Sequence, residues 1–380
     1  MKIVYLTRGD GTDPRALKMC NSLAKLGHEV VFVGWDRTPE ARKDLHFARD
    51  VKLRILMHAG VFGENALKGW GHYCAHVVRC LYEERPDAIQ AVDEEKACLA
   101  LPFKHAFYRH MVLDVYDSVI SATYRSWWLA LLARICRPLA NLFSDCIIET
   151  APELQAMLGG FARKSVVIEN VPFDPGPGLL GAAPVSGPIR VALGGMLKKR
   201  RMGLDTLLGA LDLMPRGSVV IEASGWLGDD YAKTVFATHP GVTYRWLSSG
   251  REFLNLAASC DALLYLRGDA DACPYVAGVR PNRVFDALAV GRPLIVNPEL
   301  TIARWLQEED LGIVLARFDA PSLATAISSL QQRRAALPQQ AAHMRRVFLD
   351  GHVWPVMEER LGELYRALEA GQKARAYAPA

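Results

Sequence analysis

Several features are scarce in this chain, and each scarcity removes a class of function. An excess of one charge is missing: 45 Lys and Arg against 41 Asp and Glu leave a formal net charge of +4. No block of like charges marks a basic arm either, so composition argues against a nucleic-acid partner. Paired cysteines are missing too. Cys20, Cys74, Cys80, Cys98, Cys136, Cys146, Cys260 and Cys273 are scattered without a Cys-x-x-Cys. They read as reduced, mostly buried thiols of a cytosolic protein, which sets aside a disulfide framework or a zinc site. The opening run Met1–Leu6 breaks at Thr7-Arg8-Gly9-Asp10, too short for the core of a signal peptide, and no apolar stretch approaches a membrane span. That same loop, Thr7 to Asp13, is not Gly-x-Gly-x-x-Gly, which disfavours an NAD-dependent oxidoreductase.

What is present is material for two domains. The 380 residues are 51% apolar and 23% charged, enough for two cores. Residues 2–7 read as a strand. Asp13 and Pro14 then open a helix, Gly27 closes it, and Glu29 to Trp35 is a second strand, which makes a βαβ unit. The alternation continues with strands near 51–56, 87–92, 111–115, 145–150 and 165–170 and helices at 66–84, 94–107 and 151–159. Residues 172–188 carry Pro and Gly at a density that suits a linker. Beyond it the pattern restarts, with strands at 189–193, 218–223, 242–246, 262–266, 294–296 and 312–315 and helices at 203–213, 228–238 and 251–258. The expected architecture is α/β, with two doubly wound Rossmann-like domains, 1–171 and 189–351, facing across a cleft. Helices near 352–380 are expected to pack back on the first domain.

The stretch 280–296 concentrates the chemistry. Pro281 suits the first turn of a helix, Val284, Phe285 and Leu288 share one face, Gly291 marks its end, and Leu294-Ile295-Val296 is a buried strand. Asn282, Arg283 and Asp286 are left polar near the helix N-terminus, a ready anion site. Spacing alone favours the alternative, an ordinary loop–helix–strand unit with a solvated polar face.

These residues resemble the "PNK-x-F-E-(Y/A)-L-A-x-G-(K/R)-P" signature of glycosyltransferase family 4, the retaining group-1 glycosyltransferases of the GT-B fold. Four further segments resemble that family in the same order. Asp13-Pro14-Arg15 running on to Leu26-Gly27-His28-Glu29-Val30 is similar to "D-P-R…L-x-x-x-G-H-E-V". Asp114-Val115-Tyr116-Asp117 stands where the family has "D-x-H-(E/D)". Ile168-Glu169-Asn170-Val171-Pro172 resembles "(V/I)-x-N-G-V", and Gly194-Gly195-Met196-Leu197 with the basic residues through Arg201 resembles "G-x-L…(R/K)-G". Together the matches span most of the chain.

The resemblance implies transfer of a sugar from a nucleoside-diphosphate donor, with retention and without an obligatory metal or any cofactor; UDP is favoured over GDP. A departing diphosphate gathers negative charge, so fixed cations and N–H donors must face it. The family's phosphate-binding Arg or Lys falls within Lys198-Lys199-Arg200-Arg201, with Arg200 and Arg201 preferred for their fork geometry. A solvated basic turn is the alternative. Asp286 replaces the family's ribose-gripping glutamate, Asn282 and Arg283 take the N-K pair near the diphosphate, and Gly195 lies on the donor loop. Trp246 either stacks on the base or belongs to the core. Arg15 reaches toward the donor or makes a surface salt bridge. On the other side, Tyr116, Asp117 and Asp114 are the catalytic candidates, with Asp93 on the acceptor side. Tyr116 stands where the family has histidine, and Gly278 where many members carry an earlier glutamate.

Ser118 to Ser144 holds Arg125, Arg134 and Arg137 among Trp127, Trp128 and many aliphatics, without an acidic residue. That is the composition of an interfacial amphipathic helix, with Arg125, Trp127, Trp128 and Arg134 facing the membrane; a core helix of the first domain is the alternative. The expected enzyme is thus a metal-independent hexosyltransferase, peripheral at the inner face of the cytoplasmic membrane. Its acceptor would be a lipid-linked or saccharide species of bacterial cell-surface polysaccharide or glycolipid synthesis. A nucleotide-sugar epimerase of the same fold, or an inactive sugar-nucleotide-binding scaffold, are the alternatives.

Overall fold

The structure, a computed structural model, describes residues 1–39, 43–59, 69–116, 127–179, 186–247, 249–270 and 274–371, with no side-chain description for 127–130. The chain divides into two compact units, one of Met1–Asn170 with the chain from Met357 on, the other of Val171–Val356.

The first unit is built on seven strands: β1 (Lys2–Leu6), β2 (Glu29–Asp36), β3 (Val51–Met57), β4 (Ala88–Val92), β5 (His110–Asp114), β6 (Cys146–Glu149) and β7 (Ser165–Val167). They lie in the order β3-β2-β1-β4-β5-β6-β7, all parallel. The central strands are apolar on both faces, and β4 is buried at all of its five positions, because helices cover both sides of a parallel sheet. The first helix, Pro14–Lys25, starts as its sequence demands. The Asp13 carboxylate accepts the N–H groups of Arg15 and Ala16, both at 2.9 Å, and Pro14 sits where no intrahelical donor is needed.

The second unit holds β8 (Ile189–Leu197), β9 (Val219–Leu227), β10 (Val242–Tyr244), β11 (Ala262–Tyr265), β12 (Leu294–Val296) and β13 (Gly312–Val314), in the order β10-β9-β8-β11-β12-β13, again all parallel. Strand order reverses beside the first strand of each sheet, between β1 and β4 and between β8 and β11. In open α/β sheets such a reversal leaves the crevice where ligands bind.

Several boundaries differ from the sequence expectation. The helix read as 94–107 stops at Ala100 and passes into a tighter turn, Leu101–Phe103, since Pro102 brings no N–H to continue it. The helix read as 203–213 is Leu204–Asp212, and a short helix not expected from the sequence, Lys199–Met202, precedes it, parted from it by Gly203 at φ +58. Pro281 caps the Asn282–Val290 helix from outside and is not its first residue. Residues 172–179, read as linker, pack within the second unit. Trp354 N–H donates to Pro172 O at 3.0 Å, Phe173 meets the Trp354 ring edge-on, and Asp174 pairs with Arg345. The chain returns to the first unit within the helix Trp354–Glu369, where Tyr365 donates its hydroxyl hydrogen to Gln90 Oε1 at 3.0 Å.

Candidate active site

In the second unit the candidates gather at the C-terminal edge of the sheet. Strands β8 and β9 run further than their apolar cores, pairing as far as Met196 with Trp226 and Leu197 with Leu227. Gly195, within this extension, has φ +111 and nothing within 4 Å of a built Cβ, so its backbone conformation, not space, calls for glycine. The basic segment follows. Arg200 is exposed, while Arg201 is half-buried with Nη1 3.6 Å from Met196 Sδ. Trp246 is 67% exposed, which removes the core reading for it.

Asn282 is exposed at the start of its helix. Arg283 and Asp286 are brought together: Nη1 lies 2.8 Å from Asp286 Oδ2, one helical turn apart on the same face. The guanidinium sits 3.9 Å over the Phe253 ring, against Gly194, where any Cβ would strike that ring at 2.4 Å. The pair is therefore held by packing as well as charge. Sequence reasoning passed over Arg267, Trp226 and Asn297. Arg267 is 8% exposed just past β11, and Asn297 is fully buried just past β12. Their signal was available, since a polar residue that directly ends a buried parallel strand lies on the ligand edge.

In the first unit the strand ends carry carboxyl groups. Asp114 closes β5 and is fully buried; Arg15 Nη2 reaches its Oδ1 at 3.0 Å and Gln90 Nε2 its Oδ2 at 2.6 Å. Arg15, expected to face the donor or a surface partner, is instead 2% exposed, with Nη1 on Ile168 O at 2.8 Å. Its fork is engaged inside this unit. Tyr116 stacks under the Arg15 guanidinium at 4.9 Å and shares a short hydrogen bond with the Tyr5 hydroxyl.

Asp93 follows β4 with φ +61 and ψ 164, a conformation almost confined to glycine and costly for any side chain. Its carboxylate accepts Tyr116 N–H at 2.7 Å and Lys96 Nζ at 3.1 Å. Burial pushes the carboxyl up to about 7, with Lys96 pulling it down. Glu149, which sequence reasoning missed, ends β6 in the same row. It is 1% exposed, and its Oε2 has no hydrogen-bond partner among the described residues. Burial raises it to about 8.

No family model matches the chain, and no curated protein matches it by sequence. Solved structures do. Sucrose-phosphate synthase from Thermosynechococcus elongatus superposes with a TM-score of 0.75 at 16% identity, over 97% of this chain and 99% of that one. Anabaena HepE in complex with UDP and glucose gives 0.70 at 17%, over 97% and 100%. WaaG, a glycosyltransferase involved in lipopolysaccharide biosynthesis, gives 0.65 at 12%, over 95% and 98%. The fold is GT-B.

Within this GT-B chain, Asp117 and Arg125 lie outside the described residues, as do the side chains of Trp127 and Trp128. Arg134 is exposed on the helix Trp127–Phe143. Leu131, Ile135, Leu139 and Leu142 of that helix are each 40–59% exposed, while Ala133, Cys136 and Ala140 on its other face are buried. The helix thus presents a continuous apolar stripe outward. Among the described residues no helix is long and apolar enough to cross a membrane, and no group of three His, Cys, Asp or Glu is placed to hold a metal ion.

Proposed function

We propose that the protein is a glycosyltransferase, with a nucleoside-diphosphate sugar held by the second unit and the acceptor by the first. The observation that carries this reading is the Arg283–Asp286 pair at the N-terminus of the Asn282–Val290 helix of a GT-B chain. Arg283 supplies a fixed cation, and the helix dipole its positive end, for the diphosphate charge that grows as the glycosidic bond breaks. Asp286 accepts the ribose hydroxyls, and Trp246, solvent-facing, stacks on the base. The likeness to HepE, solved with UDP and glucose, supports a UDP-sugar. Retention and independence of metal follow from the family resemblance. In that course the donor's own phosphate takes the acceptor proton, and Tyr116 and Asp93 orient the acceptor, with Asp114 behind them holding Arg15 against the Tyr116 ring.

The acceptor we propose is a lipid-linked or saccharide species of bacterial cell-surface polysaccharide or glycolipid synthesis, met at the inner face of the cytoplasmic membrane. The outward apolar stripe beside Arg134 suits an anionic lipid surface, and the likeness to WaaG points the same way.

Incubation with a panel of UDP-, GDP- and ADP-sugars, read by chromatography of released nucleotide, tests the reaction. UDP release is expected. Nucleotide binding without release from any donor would favour a scaffold, and a free epimerised sugar an epimerase. Asp286→Ala is expected to weaken UDP binding at least tenfold by calorimetry; unchanged affinity would sink the ribose assignment.

A further inference from the structure

The loops leaving β8 and β11, on either side of the reversal in the second sheet, are locked together. Gly268 N–H donates to Arg201 O at 3.0 Å, and a Cβ on Gly268 would lie 2.3 Å from Arg200 O. Only glycine allows this approach. The backbone of Arg267 is held from the other side by Asn297, whose Oδ1 accepts Arg267 N–H at 2.9 Å and whose Nδ2 donates to Arg267 O at 3.3 Å. The Arg267 side chain is anchored in turn, with Nε 2.7 Å from Asp269 Oδ1 and Nη1 3.5 Å from the Tyr265 hydroxyl. Burial pushes the Tyr265 phenol up, and the positive charges of Arg267 and Arg201 pull it down. The Gly268–Arg201 backbone bond sets the two arginine-bearing loops side by side, and cations on adjacent loops gain from an anion that accepts from both.

We propose that Arg267, together with Arg201, clamps the diphosphate of the donor, with Tyr265 as a neutral hydrogen-bond donor beside it. The assignment rests on the donor reading of the second unit and adds to it a binding residue from β11, outside the basic segment 198–201. The ligand class is a diphosphate. Inorganic pyrophosphate alone fits the clamp, and a nucleoside without phosphate gains nothing from it. Arg is required for its planar fork, which presents two parallel N–H groups to phosphate oxygens where Lys offers a point charge.

The test is calorimetric titration of the full chain with UDP, inorganic pyrophosphate and uridine. Arg267→Gln is expected to weaken UDP and pyrophosphate at least tenfold and leave uridine unchanged. Arg267→Lys keeps the charge and the Asp269 partner; it is expected to retain the unliganded melting temperature within a few degrees and still lose most of the pyrophosphate affinity. UDP and pyrophosphate affinities within twofold of the unaltered protein in Arg267→Lys and Arg267→Gln would show that Arg267 only braces its loop, and overturn this assignment alone. Failure of the unaltered protein to bind either UDP or pyrophosphate would overturn the donor reading and the clamp with it.

Discussion

At the scale of single residues, the strand ends of the first unit carry carboxyl groups that burial pushes above their ordinary range. Glu149 is raised to about 8, first by burial and then by the charges of Glu94, Asp114 and Asp93, with Arg137 opposing. An unfolded glutamate titrates near about 4.3. Between those values the folded chain holds a proton that the unfolded chain has released. Stability from this group is therefore complete below about pH 4 and falls as pH rises toward about 8. Glu149→Gln, neutral throughout, is expected to flatten the decline of melting temperature between pH 5 and pH 8. A residual slope should remain, because Asp93, raised to about 7, titrates in the same window. An unaltered slope in the variant would show that Glu149 is ionised in the folded chain.

Arg15 offers the contrasting case of a buried charge that is paired. Asp114 is fully buried and takes its only guanidinium partner among the described residues from Arg15. Removing one member of such a pair leaves an uncompensated charge in the core and costs about 3–5 kcal/mol. Arg15→Ala is expected to lower stability by that order in urea titrations. A loss below about 1 kcal/mol would mean that Asp114 is satisfied without it. Asp13-Pro14-Arg15 was legible as a helix start, and its capping is local. The partner of Arg15 was not legible, because Asp114 lies 99 residues away.

At the scale of elements, the helix Trp127–Phe143 divides its apolar residues between two destinations. Small side chains, Ala133, Cys136 and Ala140, meet the core, while Leu131, Ile135, Leu139 and Leu142 remain exposed. Their spacing of four, four and three residues keeps them on one face. An exposed aliphatic stripe of this kind marks an interaction site more often than an ordinary surface. Ile135→Asp with Leu139→Asp is expected to abolish co-sedimentation with vesicles of phosphatidylglycerol without lowering the melting temperature. Equal sedimentation before and after would remove the helix from membrane contact. Composition announced an amphipathic helix here, but which residues face outward depends on the elements packed against it.

At the scale of the whole molecule, each unit has its own sheet and its own core, so ligand binding should stabilise them unequally. UDP at 100 times its dissociation constant is expected to add about 2.7 kcal/mol to the unit that binds it. Scanning calorimetry should then show one of two unfolding transitions moving with UDP. If both move together, the two units unfold as one cooperative body.

The sequence alone determined the alternation of strands and helices, the restart of that pattern after residue 188, and the polar N-terminal end of the Asn282–Val290 helix. These depend on period, capping and turn chemistry, which act within a few residues. Strand order was beyond its reach, and so were the neighbours that order creates. Asp93, Asp114 and Glu149 stand in a row because β4, β5 and β6 are adjacent in the sheet. Arg267 meets the basic loop because β8 and β11 pair. Only tertiary structure decided these, since burial and long-range partners, not residue type, set which charges are neutral, which are paired and which face a ligand.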